Sequence, residues 1–196
     1  MESLPDDDRV VLVGHSAGGT AISVAMERFP QKVSLAVFVT AFMHGPTLTL
    51  PAIFAKIFEG LESWMDCPNG FDNGLDKLPT YLHFGPKYLQ SMLYEKSPPE
   101  DLSLATMLMR PYPIFQDFEE LAKDTALSKE KYGSVRRAFI VIEEDSVVKE
   151  GLQRWMVENN PPDVVKVISG SDHMVMFSKP VELSSCLQGL AENLEH

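Results

Sequence analysis

The chain has 196 residues, 44% hydrophobic and 23% charged, which is enough for one domain with a real core. Its net charge of −11, from 28 acidic and 17 basic residues, disfavours nucleic acid or an anionic membrane as partner, because both attract basic surfaces. Two cysteines, Cys67 and Cys186, are too few for a disulfide framework and favour a reducing compartment. No apolar run reaches about 18 residues, and no signal peptide opens the sequence, so we expect a cytosolic protein without a membrane span.

Residues 10–19 combine a short apolar run, the motif Gly-x-Ser-x-Gly and the beginning of a helical pattern. This strand-to-helix context is typical of the nucleophile elbow, a tight turn that presents a serine above the edge of a parallel sheet. It predicts a strained backbone at Ser16 and an Ala17 N–H aimed at the place where an oxyanion forms. It also predicts that Gly14 and Gly18, which lack a Cβ, let the strand and the helix approach closely. The alternative is a glycine-rich turn that holds an incidental serine.

Apolar runs and helical periodicity in the rest of the chain predict an α/β fold with a parallel sheet. The predicted strands are residues 9–13, 33–40, 135–142 and 163–168. The predicted helices are residues 18–29, 149–159 and 180–194, the last with Val181, Leu183, Leu187, Leu190 and Leu194 facing the core. The first strand, helix and strand form a βαβ unit with a right-handed crossover.

The stretch 43–123 lacks a strong strand pattern and is rich in large apolar residues. Residues 52–64 and 87–94 are predicted to form short amphipathic helices. We interpret the stretch as a helical cap, a lid over a pocket, since long irregular insertions in compact domains are often functional. The alternative is a helical layer that only completes the core. The predicted organisation is core 1–42, helical cap insertion 43–123 and core 124–196.

Three chemically reactive residues follow predicted strands: Ser16, Asp145 and His173. The carboxyl ends of parallel strands meet at one sheet edge, and the order Ser, Asp, His along the chain is the hydrolase order. We expect Ser16 to act as nucleophile and His173 as general base and then general acid. Asp145 is expected to fix the imidazole tautomer. Three other acids compete for that last role: Glu143, Glu144 and Asp172.

The remaining histidines and the cysteines carry weaker signals. We expect the His15 side chain to pack beneath the turn, and His44, His83 and His196 to be structural or solvated. Neither cysteine has a partner at metal-ligand spacing, so the sequence predicts neither a metal nor another cofactor.

Several segments resemble the plant methylesterase family, which includes methyl salicylate, methyl jasmonate and methyl indole-acetate esterases, polyneuridine aldehyde esterase and α-hydroxynitrile lyases. They are Val-Gly-His-Ser-Ala-Gly-Gly, Ala-Met-Glu-Arg-Phe-Pro-Gln-Lys-Val, Ser-Pro-Pro-Glu-Asp-Leu and Asp-His-Met. The resemblance implies an α/β-hydrolase core with a helical cap. It also implies a carboxylesterase that hydrolyses methyl esters of small plant hormones (methyl salicylate, methyl jasmonate or methyl indole-3-acetate). A homodimer is a further expectation from the family.

The resemblance also implies roles for individual residues. The triad carries over onto Ser16, Asp145 and His173, and one oxyanion donor onto the Ala17 amide. The expected substrate-binding residues are Trp64, His15 and Met174, with Trp64 as a wall of the pocket. Hydroxynitrile lyases of the family place a lysine directly after the catalytic histidine. Because Met174 carries no cation to stabilise cyanide, ester hydrolysis is favoured over cyanohydrin cleavage.

The sequence departs from the family at its beginning. Family members open with a strand that ends in a His-Gly-x-x-His-Gly-Ala-Trp type motif, which supplies the other oxyanion amide, and this sequence has no such motif. The resemblance therefore implies an N-terminally truncated chain. Losing one oxyanion donor costs roughly 10²–10³ in rate, so we expect impaired activity. The alternative function is a weak or inactive homologue that binds the free acid.

Overall fold

The computed structural model of the protein describes residues 1–59 and 63–193. Its strands in chain order are β1 (Val10–His15), β2 (Val33–Val39), β3 (Asn69–Gly70), β4 (Tyr81–Leu82), β5 (Tyr112–Pro113), β6 (Arg137–Ile142) and β7 (Val164–Ile168). Its helices are α1 (Gly18–Arg28), α2 (Leu50–Glu59), α3 (Pro86–Tyr88), α4 (Pro99–Leu108), α5 (Phe118–Asp124), α6 (Glu150–Asn159), α7 (Val175–Ser178) and α8 (Pro180–Glu192). Within these residues, none of the helices has the length and apolar character needed to cross a membrane.

A four-stranded parallel sheet, in the order β1-β2-β6-β7, carries the fold. Alternate residues of β2 enter two different apolar clusters. Ala36 and Phe38 pack with α1 and α6, while Leu35, Val37 and Val39 pack on the other face with α8. Burial on both faces explains why the central strands read as continuous apolar runs.

The four predicted core strands and three predicted core helices are present, with ends that differ from the prediction by at most two residues. One expectation about α8 is wrong: Val181 is 72% exposed, whereas Leu190 is buried. Val181 lies two residues before Leu183, about 200° away around the helix, so both cannot face the sheet. Leu194 lies outside the described residues.

The stretch 43–123 is more varied than the sequence pattern predicts. Helix α2 ends at Glu59 in the described structure, residues 60–62 of the predicted helix 52–64 lie outside it, and Trp64 is not helical. The predicted helix 87–94 is the short α3 followed by a π-helical turn, Leu89–Leu93. The antiparallel sheet β3-β4-β5 was not predicted, because strands of two residues are too short to show a periodic pattern.

Candidate active site

Ser16 lies at the junction of β1 and α1 in a left-handed backbone conformation, with φ of 54°. An L-residue in this conformation is strained and persists only where its surroundings hold it. Here the Ser16 carbonyl accepts hydrogen bonds from Gly19 N at 3.1 Å and Phe42 N at 3.0 Å, and the Ser16 N–H donates to Val39 O at 3.4 Å. The strained turn predicted from the motif is therefore present.

Two glycines allow the elbow to be this tight, and one of them differs from the prediction. A Cβ on Gly14 would lie 2.9 Å from Gly18 O, so Gly14 has the predicted role. A Cβ on Gly18 would meet no atom within 4 Å, whereas one on Gly19 would lie 2.4 Å from Phe42 O. Close packing therefore depends on Gly19 and not Gly18, because α1 turns its second residue toward the chain that follows β2.

Asp145 follows the carboxyl end of β6 and is 3% exposed. Its Oδ2 lies 2.7 Å from Nδ1 of His173 and accepts a 2.5 Å hydrogen bond from Thr40 Oγ1. Its Oδ1 accepts the backbone N–H groups of Val147 at 2.7 Å and Val148 at 2.9 Å. Because an ionised carboxylate only accepts hydrogen bonds, Nδ1 of His173 carries the proton and Nε2 keeps its lone pair.

The competing acids have other partners. Glu143 and Glu144 accept hydrogen bonds from Ser169 and from the backbone of Gly170 and Ser171, respectively, so both hold the loop before His173. Asp172 accepts hydrogen bonds from the 96–97 segment and does not contact the His173 imidazole through its carboxylate in the described structure. Of the four candidate acids, Asp145 is the one that meets the histidine.

His15 differs from its expected position beneath the turn. Its Nε2 donates a 2.8 Å hydrogen bond to the backbone O of His173, and the two imidazole centroids are 4.7 Å apart. Burial lowers the pKa of His15 to about 4, and the nearby His173 acts in the same direction. A neutral His15 at pH 7 can supply the Nε2–H donor, and the acceptor carbonyl explains why the ring turns toward His173.

A cavity of about 880 Å³ lies where the carboxyl edge of the sheet meets residues of the 43–123 stretch. Five predicted site residues line it beside the nucleophile: His15, Ala17, Trp64, His173 and Met174. Aromatic rings form much of the wall: Phe42, Phe54, Phe58, Phe84, Tyr88, Tyr112, Phe115 and Phe118. Within the described lining the charged side chains are Lys56 and Lys149, and there is no carboxylate. The aromatic wall of the cavity therefore suits a largely apolar ligand.

Ser16 and His173 share this wall without a direct hydrogen bond between them in the described part of the chain. Such bonds often form only in the substrate complex.

Trp64 packs near Tyr88, with ring centroids 6.0 Å apart, and burial raises the pKa of Tyr88 to about 12. Met174 packs against the apolar cluster that contains Tyr88.

Sequence reasoning missed Thr40. It is fully buried, directly follows β2, and has a φ of 38°, which is a strained value for a β-branched residue. The available signal was its place at the carboxyl edge of the strand beside β1. Strand β2 also pairs with β6, so a residue directly after β2 lies beside the segment that follows β6, and that segment contains Asp145.

The other histidines lie away from the cavity or outside the description. His44 is buried and its Nε2 donates to Thr125 O at 3.1 Å, so its role is structural. His83 is half-buried beside Phe84, and His196 lies outside the described residues. Among the residues the structure describes, no group of three or more His, Cys, Asp or Glu side chains is placed to hold a metal ion.

Comparison with known proteins identifies the family. The sequence model of the alpha/beta hydrolase family matches residues 2–185. Methyl jasmonate esterase 1 of Vitis vinifera is 50% identical over 194 residues, which cover 98% of this chain and 74% of that protein. The chain belongs to the alpha/beta hydrolase family, in its plant methylesterase group. The resemblance seen in the sequence motifs is thereby confirmed.

Solved structures agree with the assignment of this chain to the plant methylesterase group. The crystal structure of tomato methylketone synthase I complexed with 2-tridecanone has a TM-score of 0.93 at 42% identity, covering 98% of this chain and 74% of that one. Polyneuridine aldehyde esterase has a TM-score of 0.89 at 38% identity, covering 97% and 74%. The predicted α/β-hydrolase fold is confirmed, and relatives named esterases and methylesterases make this chain a carboxylic ester hydrolase.

Proposed function

We propose that this methylesterase hydrolyses methyl esters of small apolar plant carboxylic acids, with methyl jasmonate as the leading candidate, through a Ser16–His173–Asp145 triad. One observation carries the proposal. The strained Ser16 and His173 line one cavity, and His173 is held 2.7 Å from the buried carboxylate of Asp145. A nucleophile, a base and a group that orients the base are thus available at one sheet edge.

Acylation begins when Ser16 Oγ attacks the ester carbonyl carbon while Nε2 of His173 takes the hydroxyl proton. Negative charge develops on the former carbonyl oxygen. The Ala17 N–H donates to no protein acceptor in the described structure, and it stands at the N-terminus of α1, where the helix dipole favours an anion. Asp145 stabilises the imidazolium that forms on His173.

The intermediate collapses when the C–O bond to the methoxy group breaks and His173 returns the proton, so methanol leaves. Water then attacks the acyl-Ser16 carbonyl, again giving a proton to His173. Collapse of the second intermediate returns that proton to Ser16 Oγ and releases the free acid.

The apolar cavity wall supports an ester whose acyl part is bulky and hydrophobic. The name of the Vitis vinifera relative, a methyl jasmonate esterase, favours methyl jasmonate over methyl salicylate and methyl indole-3-acetate as first choice. Trp64, His15 and Met174 are the proposed substrate-binding residues, since each lines the same wall as Ser16. Met174 is apolar and supplies no cation for a cyanide leaving group, which supports ester hydrolysis over cyanohydrin cleavage.

The test measures the release of free acid from each of the three methyl esters, by the protein and by Ser16→Ala. We expect turnover by the protein, highest for methyl jasmonate, and loss of at least roughly 10³-fold in Ser16→Ala. A fluorophosphonate should label the protein at Ser16.

Binding of jasmonic acid without any Ser16-dependent turnover would instead identify a non-catalytic acid-binding homologue. Release of benzaldehyde from mandelonitrile would identify a lyase. Either result contradicts the esterase proposal.

A further inference from the structure

Asp172 directly precedes His173, is 1% exposed, and has its carboxylate directed away from the imidazole into a set of hydrogen bonds. Its Oδ2 accepts the Lys96 N–H at 2.8 Å and the Ser97 hydroxyl at 2.8 Å. Its Oδ1 accepts the N–H of Met174 at 3.0 Å. One buried carboxylate therefore joins the histidine loop to a segment 75 residues earlier in the chain.

The 96–97 segment lies between two parts of the cavity wall. Met92, Leu93 and Tyr94 precede it and line the cavity, and α4 follows it and leads to Met109, which lines the cavity as well. On the other side of the hydrogen bonds, His173 and Met174 line the same cavity. The contact of Asp172 thus connects the wall that faces the substrate with the residue proposed as base.

These hydrogen bonds to Asp172 come from neutral donors. The Lys96 ammonium lies 3.9 Å from a carboxylate oxygen of Glu144 and not on Asp172. Both of those side chains are partly exposed, so their ion pair contributes little to stability. A buried carboxylate that loses its hydrogen-bond donors is costly in free energy. The three donors to Asp172 are therefore held in a defined position around it. Tyr94 also stacks on Phe177, with ring centroids 5.9 Å apart. This apolar contact brings the same two segments together, but it is less directional than the hydrogen bonds to Asp172.

We propose that Asp172 is a positioning residue that fixes the 92–97 segment relative to His173, and thereby sets both substrate fit and the placement of the imidazole. This inference rests on the proposed esterase function. Loosening the junction lets the wall at Met92–Tyr94 shift relative to Ser16 and His173. Large acyl groups, which contact that wall, are then affected more than small ones.

The variant Asp172→Asn tests the proposal with little change of volume. An amide nitrogen in place of Oδ2 cannot accept from the Lys96 N–H or the Ser97 hydroxyl, and the opposite amide orientation loses the Met174 N–H. Ser97→Ala removes one donor of the same set. Glu100→Gln is the matched control, because it neutralises an exposed carboxylate on α4 nearby.

We expect Asp172→Asn to lower kcat/KM for methyl jasmonate roughly 30-fold, as for loss of hydrogen bonds to a buried charge, with both a higher KM and a lower kcat. For a small ester such as p-nitrophenyl acetate we expect a loss of roughly 3-fold. Ser97→Ala should change the ratio of the two esters in the same direction by a smaller factor, and Glu100→Gln should leave it unchanged.

Hydrogen exchange at the Lys96 and Met174 amides separates this inference from the esterase proposal, because it needs no turnover. Faster exchange at whichever of these amides loses its acceptor in Asp172→Asn, with 139–142 still protected, supports the junction even if the protein hydrolyses no methyl ester. Exchange that stays at the wild-type rate overturns the proposal. An equal loss of kcat/KM for the large and the small ester overturns it as well, since that is the result of a structural role alone.

Discussion

Replacing Thr40 by valine tests whether the carboxylate of Asp145 must be held from both sides. The Thr40 hydroxyl donates to Oδ2, the same oxygen that receives Nδ1 of His173. The backbone donors of Val147 and Val148 bind only the other oxygen. Valine has nearly the shape of threonine and the same branching at Cβ, so it keeps the packing and the strained φ of 38° while removing one donor.

The expected loss follows from the chemistry of that donor. A hydrogen bond to a charged group contributes about 1.5–3 kcal/mol, and about 1.4 kcal/mol corresponds to a factor of ten in rate. If the hydroxyl acts mainly by aligning Asp145 with the imidazolium, Thr40→Val should lower kcat/KM by roughly 10- to 100-fold. Thr40→Ser keeps the hydroxyl and should retain activity within about 3-fold.

The assay is the release of acid from methyl jasmonate by the protein and by both variants, with thermal unfolding to show that each is folded. The Thr40 hydroxyl has no such role if folded Thr40→Val retains kcat/KM within a factor of about two, or if Thr40→Ser loses as much kcat/KM as Thr40→Val. In the first case the two backbone donors suffice to orient Asp145.

Three further predictions concern other parts of the molecule. Gly19→Ala should destabilise the fold by about 1–3 kcal/mol in urea unfolding, because its Cβ would lie 2.4 Å from Phe42 O, whereas Gly18→Ala, with open space around its Cβ, should not; equal effects would contradict the packing argument. Burial lowers the pKa of His44 from 6.5 to about 4, so its contribution to stability is full above pH 6.5. The free energy of unfolding should fall by about 3 kcal/mol as the pH falls toward 4, because His44 of the unfolded chain takes up a proton before His44 of the folded chain does. In His44→Gln the free energy of unfolding, measured in urea, should depend less on pH over that interval, and an unchanged pH dependence would contradict this. Trp64→Ala should change the ranking of the three methyl esters by kcat/KM, and an unchanged ranking would show that the ring only packs.

The core strands and the elbow could be predicted because their signals are local. An apolar run buried on both faces and a glycine motif between strand and helix are visible without knowing the fold. Asp145 and His173 followed from their positions after predicted strands, since parallel strands bring their carboxyl ends to one edge. The exposure of Val181 shows the limit of this approach, because helical periodicity tells which residues share a face only when its phase is known.

The stretch 43–123 was harder to predict for a physical reason. Its two-residue strands depend on pairing with other segments and are too short to show a period, and its helix α4 has no buried residue and therefore no apolar stripe. The close contact of Gly19 with the chain after β2 likewise joins residues that are far apart in sequence.

The sequence by itself determined the α/β-hydrolase class, the strained serine turn, and Ser16 and His173 as two of the three side chains proposed for catalysis, because each depends on short segments whose residues are adjacent. Only the tertiary structure decided which acid meets His173, where His15 points, that Thr40 donates to Asp145, and that Asp172 accepts hydrogen bonds from the 96–97 segment. Those contacts join residues 28 to 158 positions apart. Hydrogen bonds depend on distance and direction in space, which no local sequence pattern records.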